Sequence, residues 1–400
     1  MENFMHKPNY GKTVICCYVG YVSQAIVNNF APLLFVMFGN EFGISLAQLS
    51  SMIALNFGVQ LATDFIAARL IDRVGYRPFV VAAHFLCAAG LSLMAVLPFV
   101  IEPYIGLLIS TVCSAVGGGL IEVIVSPIIE ACPSDNKASA MSLLHSFYCW
   151  GQMAVVLFST LVFRFAGIGA WRVMSCVWAL IPFVNAFAYM NVPINALPCD
   201  NKKGGIKMLF RQKTFIIFFL MMLCAGASEL SMSQWASAFA EEGLGVSKYM
   251  GDLLGPCMFA VFMGVARVFY GKFGERIQLS KFMAGSSALC VAAYLITVLA
   301  GNPLVSLGGC ALCGLSVGIM WPGTFSMGSA AIPGGGTALF AMLAFAGDMG
   351  CTSGPSLAGR IADAFGADIK IGFAAATVFP VVMFVLSLIR IYQEKKEKIS

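Results

Sequence analysis

Charge is what this chain most conspicuously lacks. Asp, Glu, Lys and Arg together make up 11% of its 400 residues, against about 25% in an ordinary globular domain. Mean hydropathy is +0.86 and 59% of residues are hydrophobic. So little polar surface cannot cover the apolar side chains of a water-soluble core. The solvent must be lipid. Period-two alternation is also missing, which excludes a β-barrel. The apolar runs are about 20 residues or longer and fit helices, which satisfy their own backbone groups inside a bilayer. There is no small-residue cleavage site after Thr13–Phe38, so that segment is expected to be a first span, not a signal peptide. No nucleotide loop, nucleophile triad or metal cluster appears, and no cofactor is expected. No basic patch points to nucleic acid. Cys310 and Cys313 form a C-x-x-C spacing, with no second pair and no nearby histidine, and are taken as packing residues in an apolar span.

The apolar material falls into twelve segments: 13–38, 45–68, 78–100, 104–129, 138–163, 171–193, 214–240, 250–271, 281–300, 303–330, 336–360 and 369–390. An all-α membrane protein of twelve transmembrane helices is predicted. The longest polar stretch, 196–213, divides it into an N-terminal bundle (1–195) and a C-terminal bundle (214–400). If the N-terminus is cytoplasmic, eighteen Lys and Arg lie inside and five outside. The positive-inside rule then puts both termini and the central linker in the cytoplasm. The halves also repeat. Phe42-Gly-Ile-Ser45 matches Leu244-Gly-Val-Ser247, and Leu70-Ile-Asp-Arg73 matches Phe273-Gly-Glu-Arg276. A glycine-rich stretch leads to proline in span 4 (Gly117 to Pro127) and in span 10 (Gly314 to Pro322). Parallel repeats of this size place a substrate path between the halves.

Ionisable residues inside a bilayer are costly, and so informative. Four acids lie well inside spans: Asp64, Glu122, Glu229 and Asp348. Most belong to polar stripes at helical spacing. Span 2 carries Asn56, Gln60 and Asp64; span 7 carries Glu229, Ser233 and Ser237; span 11 carries Asp348, Thr352 and Ser356. Span 4 pairs Glu122 with Ser126, span 1 offers Tyr21, Gln24 and Asn28, and span 5 offers His145, Tyr148 and Gln152. A single stripe can be interhelical hydrogen-bond glue; six together point to a shared polar cavity. Spans 3, 9 and 12 lack stripes and are expected to face lipid. Glu122 leads as proton-coupling residue, because a carboxyl presented to two aqueous faces in turn can take a proton at one and release it at the other. Glu229 and Asp348 are further candidates for coupling. Asp64 is as readily an ion-pair partner for Arg69 or Arg267. Trp235 and Trp321 can stack on a sugar face or simply pack, and His84 stands alone on span 3 as a structural residue.

The segment Ala68-Arg-Leu-Ile-Asp72-Arg73-Val-Gly75-Tyr-Arg77-Pro78 resembles the signature loop of the major facilitator superfamily, G-x-x-x-D-R-x-G-x-R-R. Ala68 replaces its first glycine and Pro78 its last basic residue. The resemblance implies two six-helix bundles related by a pseudo-two-fold axis. It also implies a conformational latch of Asp72, Arg73, Gly75 and Arg77, with a degenerate second copy at Glu275 and Arg276. Within the superfamily, Gly117-Gly-Gly-Leu-Ile-Glu122-Val-Ile-Val-Ser-Pro127 and Asn28-Asn29-Phe-Ala-Pro32 are similar to the fucose permease branch of sugar:proton symporters. In that branch Glu122 falls on the coupling glutamate. Asn29 stands where an Asp is expected, and Ser126 where an Asn precedes the proline. The resemblance therefore implies symport of a small polar solute, a sugar or polyol, with a proton, by a monomer in the cytoplasmic membrane of a bacterium. A drug or metabolite exporter is the alternative, although span 5 lacks the glycine-proline motif usual in superfamily antiporters. A non-transporting sensor is more remote, because only ten residues follow Arg390.

Overall fold

The computed structural model describes residues 10–133, 137–195, 209–273, 277–332 and 336–397. Twelve helical spans cross it, with no strand among the described residues. In the first bundle, α1 is Tyr10–Asn29, continued through a 3₁₀ turn to Phe42; α2 is Leu46–Val74; α3 is Tyr76–Val96; α4 is Pro103–Ala131; α5 is Lys137–Ala166; α6 is Trp171–Asn191. In the second, α7 is Lys213–Ala238 and α8 runs from Lys248 to Phe273 through a π turn at Leu253–Cys257. Next come α9 (Leu279–Leu299), α10 in two pieces (Pro303–Val317 and Met320–Ala331), α11 (Gly336–Ala364) and α12 in two pieces (Ile369–Ala376 and Val378–Glu397). Each lies within a few residues of a predicted segment. The predicted linker, 196–213, lies outside the described residues as far as position 208.

The two bundles are built alike because their punctuation is alike. Gly43 and Gly245, the glycines of the matched tetrapeptides, both adopt left-handed φ, +68° and +63°. A side chain there would be strained, which explains the glycine in both copies. Ser45 and Gln48 then close a reciprocal cap at the start of α2. Glu102 before Pro103 and Asn302 before Pro303 each accept hydrogen bonds from the first turn of their helix. Breaks within spans sit at prolines. Pro256 lies in the π turn of α8, and Pro322 follows the gap in α10.

The outer faces are apolar. On α6, Val173, Val177, Leu180 and Val184 are exposed, and α9 and α12 carry similar rows. The expected lipid-facing set of α3, α9 and α12 thus gains α6, whose buried Asn185 turns inward. Its amide donates to Cys16 O and meets His84 Nε2 at 2.9 Å. His84 Nδ1 therefore carries the proton and donates to Val80 O. Every polar atom of that ring is used, which makes His84 a fixed joint between α1, α3 and α6.

One part of the signature loop can be seen at work. Gly75 has φ +91° and lets the chain turn from α2 into α3. Arg77 then donates to the carbonyls of Tyr189 (3.0 Å), Met190 and Val192 (2.8 Å), closing the C-terminus of α6. A cation at a helix C-terminus also meets the negative end of its dipole. The side chains of Asp64, Asp72 and Arg73, together with Glu275 and Arg276, lie outside the described residues. Arg77→Ala should lower the unfolding temperature in detergent by a few degrees, since an exposed charged hydrogen-bond cluster contributes roughly 1 kcal/mol. Lysine, a point charge, should recover only part of it. An unchanged melting curve for Arg77→Ala would show that these bonds contribute nothing.

Candidate functional site

Polar residues converge where α1, α2, α4 and α5 of the first bundle face α7, α8 and α11 of the second. On the first bundle's wall, Gln24 Nε2 donates to Glu122 Oε2 at 2.6 Å. One helical turn along each helix, Tyr21 Oη and Ser126 Oγ lie 2.9 Å apart. Asn28 Oδ1 accepts from Asn56 (3.2 Å) and from Gln60 (2.9 Å). Asn29 donates to its own helix at Ala25 O and to Tyr148 Oη at 3.2 Å. The i, i+4 spacing of Asn56 and Gln60 lets two amides grip one oxygen. A cavity between α1, α2, α3 and α4 adjoins this wall; Asn28, Asn56, Ser114 and Gln234 line it among apolar residues such as Met52, Leu91 and Met94. Glu122 is only half-buried although it lies deep within its span, so the wall borders open space.

The facing wall carries a cation. Arg267 Nη2 lies 3.6 Å from Glu229 Oε2, with side chains 13% and 10% exposed. Its Nε donates to Gly318 O and its Nη1 to His145 O, both at 3.4 Å. The Gly318 carbonyl is free to accept because residue 322 is proline. An ordinary residue there would donate its N–H to that oxygen, four positions back. His145 belongs to the first bundle, so Arg267 spans the interface between the halves. The thiol of Cys149 and the phenols of Tyr21 and Tyr148 lie in its electrostatic reach. The ring of His145 stands edge-on to Tyr21, centroids 5.1 Å apart.

Asp348 is 6% exposed on α11, and its backbone carbonyl receives the Thr352 hydroxyl at 2.9 Å. Ser356 likewise bonds back to Thr352 O. Much of the α11 stripe is therefore spent on its own helix. Gln152 and Ser233 are buried, at 2% and 6% exposure. Trp321 packs its six-membered ring against α11, where a Cβ at Gly347 would meet it at 2.2 Å. Trp235 departs from the expected cavity wall. It is 1% exposed, tilts against Phe35 and donates to Pro355 O at 3.0 Å. It wedges α7 against α1 and α11 because its N–H needs an acceptor and its bulk fills the joint.

Arg267 joins the cavity wall, although from sequence it is expected only as an ion-pair partner and not as a cavity residue. Of the acids the sequence offers it, Glu229 lies beside it, while the side chain of Asp64 is outside the described residues. A lone arginine within a span, together with a proline in α10, was the signal that could have found it.

Contacts between the bundles gather at the end away from Tyr10 and Glu397. There Gln234 donates to Asn28 O (3.0 Å), and Ser50 on α2 meets Ser356 O on α11 (3.5 Å). Thr160 on α5 donates to Asp252 on α8 at 3.1 Å. Asp252 also accepts from Ser237 and pairs with Lys248 at 3.1 Å. Ser50 and Asp252 occupy equivalent places in the repeat, so one joint is made twice.

Comparison with known proteins agrees with this architecture. A bacterial homologue of the human lysosomal transporter Spinster, solved in an inward-facing and occupied conformation, superposes with a TM-score of 0.78 at 15% identity, covering 96% of this chain and 97% of that one. The Escherichia coli fucose:proton symporter FucP, solved as a point variant, superposes at 0.66 with 18% identity, covering 94% of this chain and 98% of its own. FucP in its outward conformation gives 0.66 at 17% identity, with the same coverage. At these identities the likeness concerns the fold. No curated protein sequence matches. The family model described as Major Facilitator Superfamily matches residues 16–355, and with twelve helices in two bundles around a buried polar interface, the chain belongs to the Major Facilitator Superfamily of membrane transporters.

Proposed function

We propose that the protein is a secondary active transporter that moves a small polar solute, a sugar or related polyol, by proton symport. Residues 1–195 and 214–400 rock against each other about the central site, giving alternating access. The observation that carries the reading is Glu122: a half-buried carboxyl deep in the membrane span, held by Gln24 and facing a charged wall on the other bundle. The surrounding amides and hydroxyls supply donors and acceptors of the kind that recognise a polyhydroxylated solute. The excess of Lys and Arg on one side supports cytoplasmic termini, and the membrane we propose is the cytoplasmic membrane of a bacterium. On that orientation the joined end is the outer one, and this conformation opens inward.

A thermal-shift screen of the purified protein against monosaccharides and polyols comes first, because a bound solute raises the melting temperature by mass action. Transport of a hit is then measured in proteoliposomes. Glu122→Gln should abolish accumulation driven by a pH gradient while leaving exchange of labelled for unlabelled solute intact. The amide keeps the hydrogen bond but cannot carry a proton. Normal accumulation by the variant would remove Glu122 from the coupling role.

A further inference from the structure

Among the described residues, Arg267 is a poorly satisfied cation for its degree of burial. A guanidinium has five N–H donors in a rigid fork and pairs best with a carboxylate through two short parallel bonds, about 2.7–2.9 Å long. Here it meets Glu229 through one nitrogen at 3.6 Å, two backbone carbonyls at 3.4 Å and the soft thiol of Cys149. The three contacts to oxygen are long. A pair serving only to hold α7 to α8 would gain from closing to bidentate geometry, and a permanently buried charge left this loosely bound is costly. A charge that must receive a ligand has reason to stay loose. Around it stand Tyr21, Tyr148 and His145 from the opposite bundle, and beyond them the amides of Gln24, Asn28 and Asn29. One fork for an anion therefore faces a wall of hydroxyl-recognising groups.

We infer that the solute is a polyhydroxylated monocarboxylate, a sugar acid, whose carboxylate docks on Arg267 while its hydroxyls meet the α1–α2–α5 wall. This deepens the proposed symport function and rests on it for the location of the site. A carboxylate taking the fork would compete with Glu229 and with His145 O for the guanidinium. Because His145 is on the other bundle, docking also replaces a contact that joins the halves, which couples occupancy to rocking. A neutral sugar offers nothing to the guanidinium that water does not.

The test uses matched probes on the full-length purified protein: D-glucose against D-gluconate and D-glucuronate, and D-galactose against D-galacturonate. Affinity is followed by thermal shift and isothermal titration. At least one acid should bind at least ten-fold tighter than its neutral partner. Arg267→Gln should weaken that acid by about 10- to 100-fold, the loss expected for a charged hydrogen bond, and weaken any neutral sugar far less. Since Arg267→Gln strands the Glu229 carboxylate, the double variant Arg267→Gln/Glu229→Gln restores neutrality and should still fail to bind the acid. Equal binding of acid and neutral sugar, no binding of any acid, or undiminished acid binding in the double variant would each overturn the inference. A neutral sugar accumulated in a Glu122-dependent manner with Arg267→Gln unaffected would sink the sugar-acid assignment and leave symport standing. Acid binding lost with Arg267 but accumulation unchanged in Glu122→Gln would do the reverse.

Discussion

Gly350→Val should yield no monodisperse folded protein. Helices α7 and α11 approach so closely that backbone meets backbone. A Cβ at Gly350 would lie 2.0 Å from Leu223 O and 2.8 Å from Ala227 N. Gly226, Gly347 and Gly354 line the same seam. A Cβ at Gly226 would meet Gly347 O at 2.3 Å, and one at Gly354 would meet Ala227 Cα at 2.7 Å. Small residues at such seams allow the dispersion contacts that drive helix association in lipid, where no hydrophobic effect pulls helices together. The obstructing atoms are main-chain, so no rotamer change relieves the clash. The helices must separate along much of their length, beyond the roughly 1–3 kcal/mol of ordinary overpacking. Size-exclusion chromatography of detergent extracts is the measurement. Gly350→Ala should be milder but still destabilised. Gly308→Ala, with nothing near its would-be Cβ, should be neutral or slightly stabilising, because alanine is the better helix former. A wild-type profile for Gly350→Val would show that the seam tolerates widening.

The second large effect concerns the joined end. Asp252 is 1% exposed, accepts from Thr160 across the halves and from Ser237 within its own, and pairs with Lys248. If Asp252 is removed, Lys248 keeps the Ser237 hydroxyl at 3.1 Å and Glu241, as its charged partner, at 3.7 Å. Breaking a buried, hydrogen-bonded charge cluster costs about 3–5 kcal/mol. Part of that falls on both conformations, since Ser237 and Lys248 move with Asp252. The cross-half share, one charged hydrogen bond of roughly 1.5–3 kcal/mol, acts on the equilibrium between closed and open at this end. Asp252→Ala should therefore raise the open population by about ten-fold or more. Thr160→Val, which removes only the cross-half donor, should shift it in the same direction with less loss of melting temperature. Spin labels at the exposed positions Glu41 and Phe365, one per bundle, report the separation. A distance distribution unmoved by both variants would mean the cluster stabilises α7 and α8 without contributing to closure.

Most of the fold was legible because its rules are local. A run of some twenty apolar residues is a span wherever it occurs, and Gly43, Gly245, Pro103 and Pro303 punctuate the two bundles identically whatever lies around them. The site was legible in part. The stripes on α1, α2, α4 and α5 follow from helical periodicity, and they meet as the spacing implied. Which polar groups pair was not legible. Gln24 could have faced any of several helices, and Trp235 reads as a cavity aromatic until Pro355 O and Phe35 claim it.

The sequence by itself determined a lipid-solvated, twelve-span, two-fold repeated chain, because hydrophobicity and helical period are sums over neighbours along the backbone. Only the tertiary structure decided that Arg267 pairs with Glu229, that Gly318 O is its second acceptor, and that the bundles meet at the end of Asp252 and Ser50. Those choices depend on the rotation and tilt of helices distant in the chain. Over one turn of a helix a side chain sweeps every direction, and a few tens of degrees separate a cation turned to one carboxylate from one turned to another.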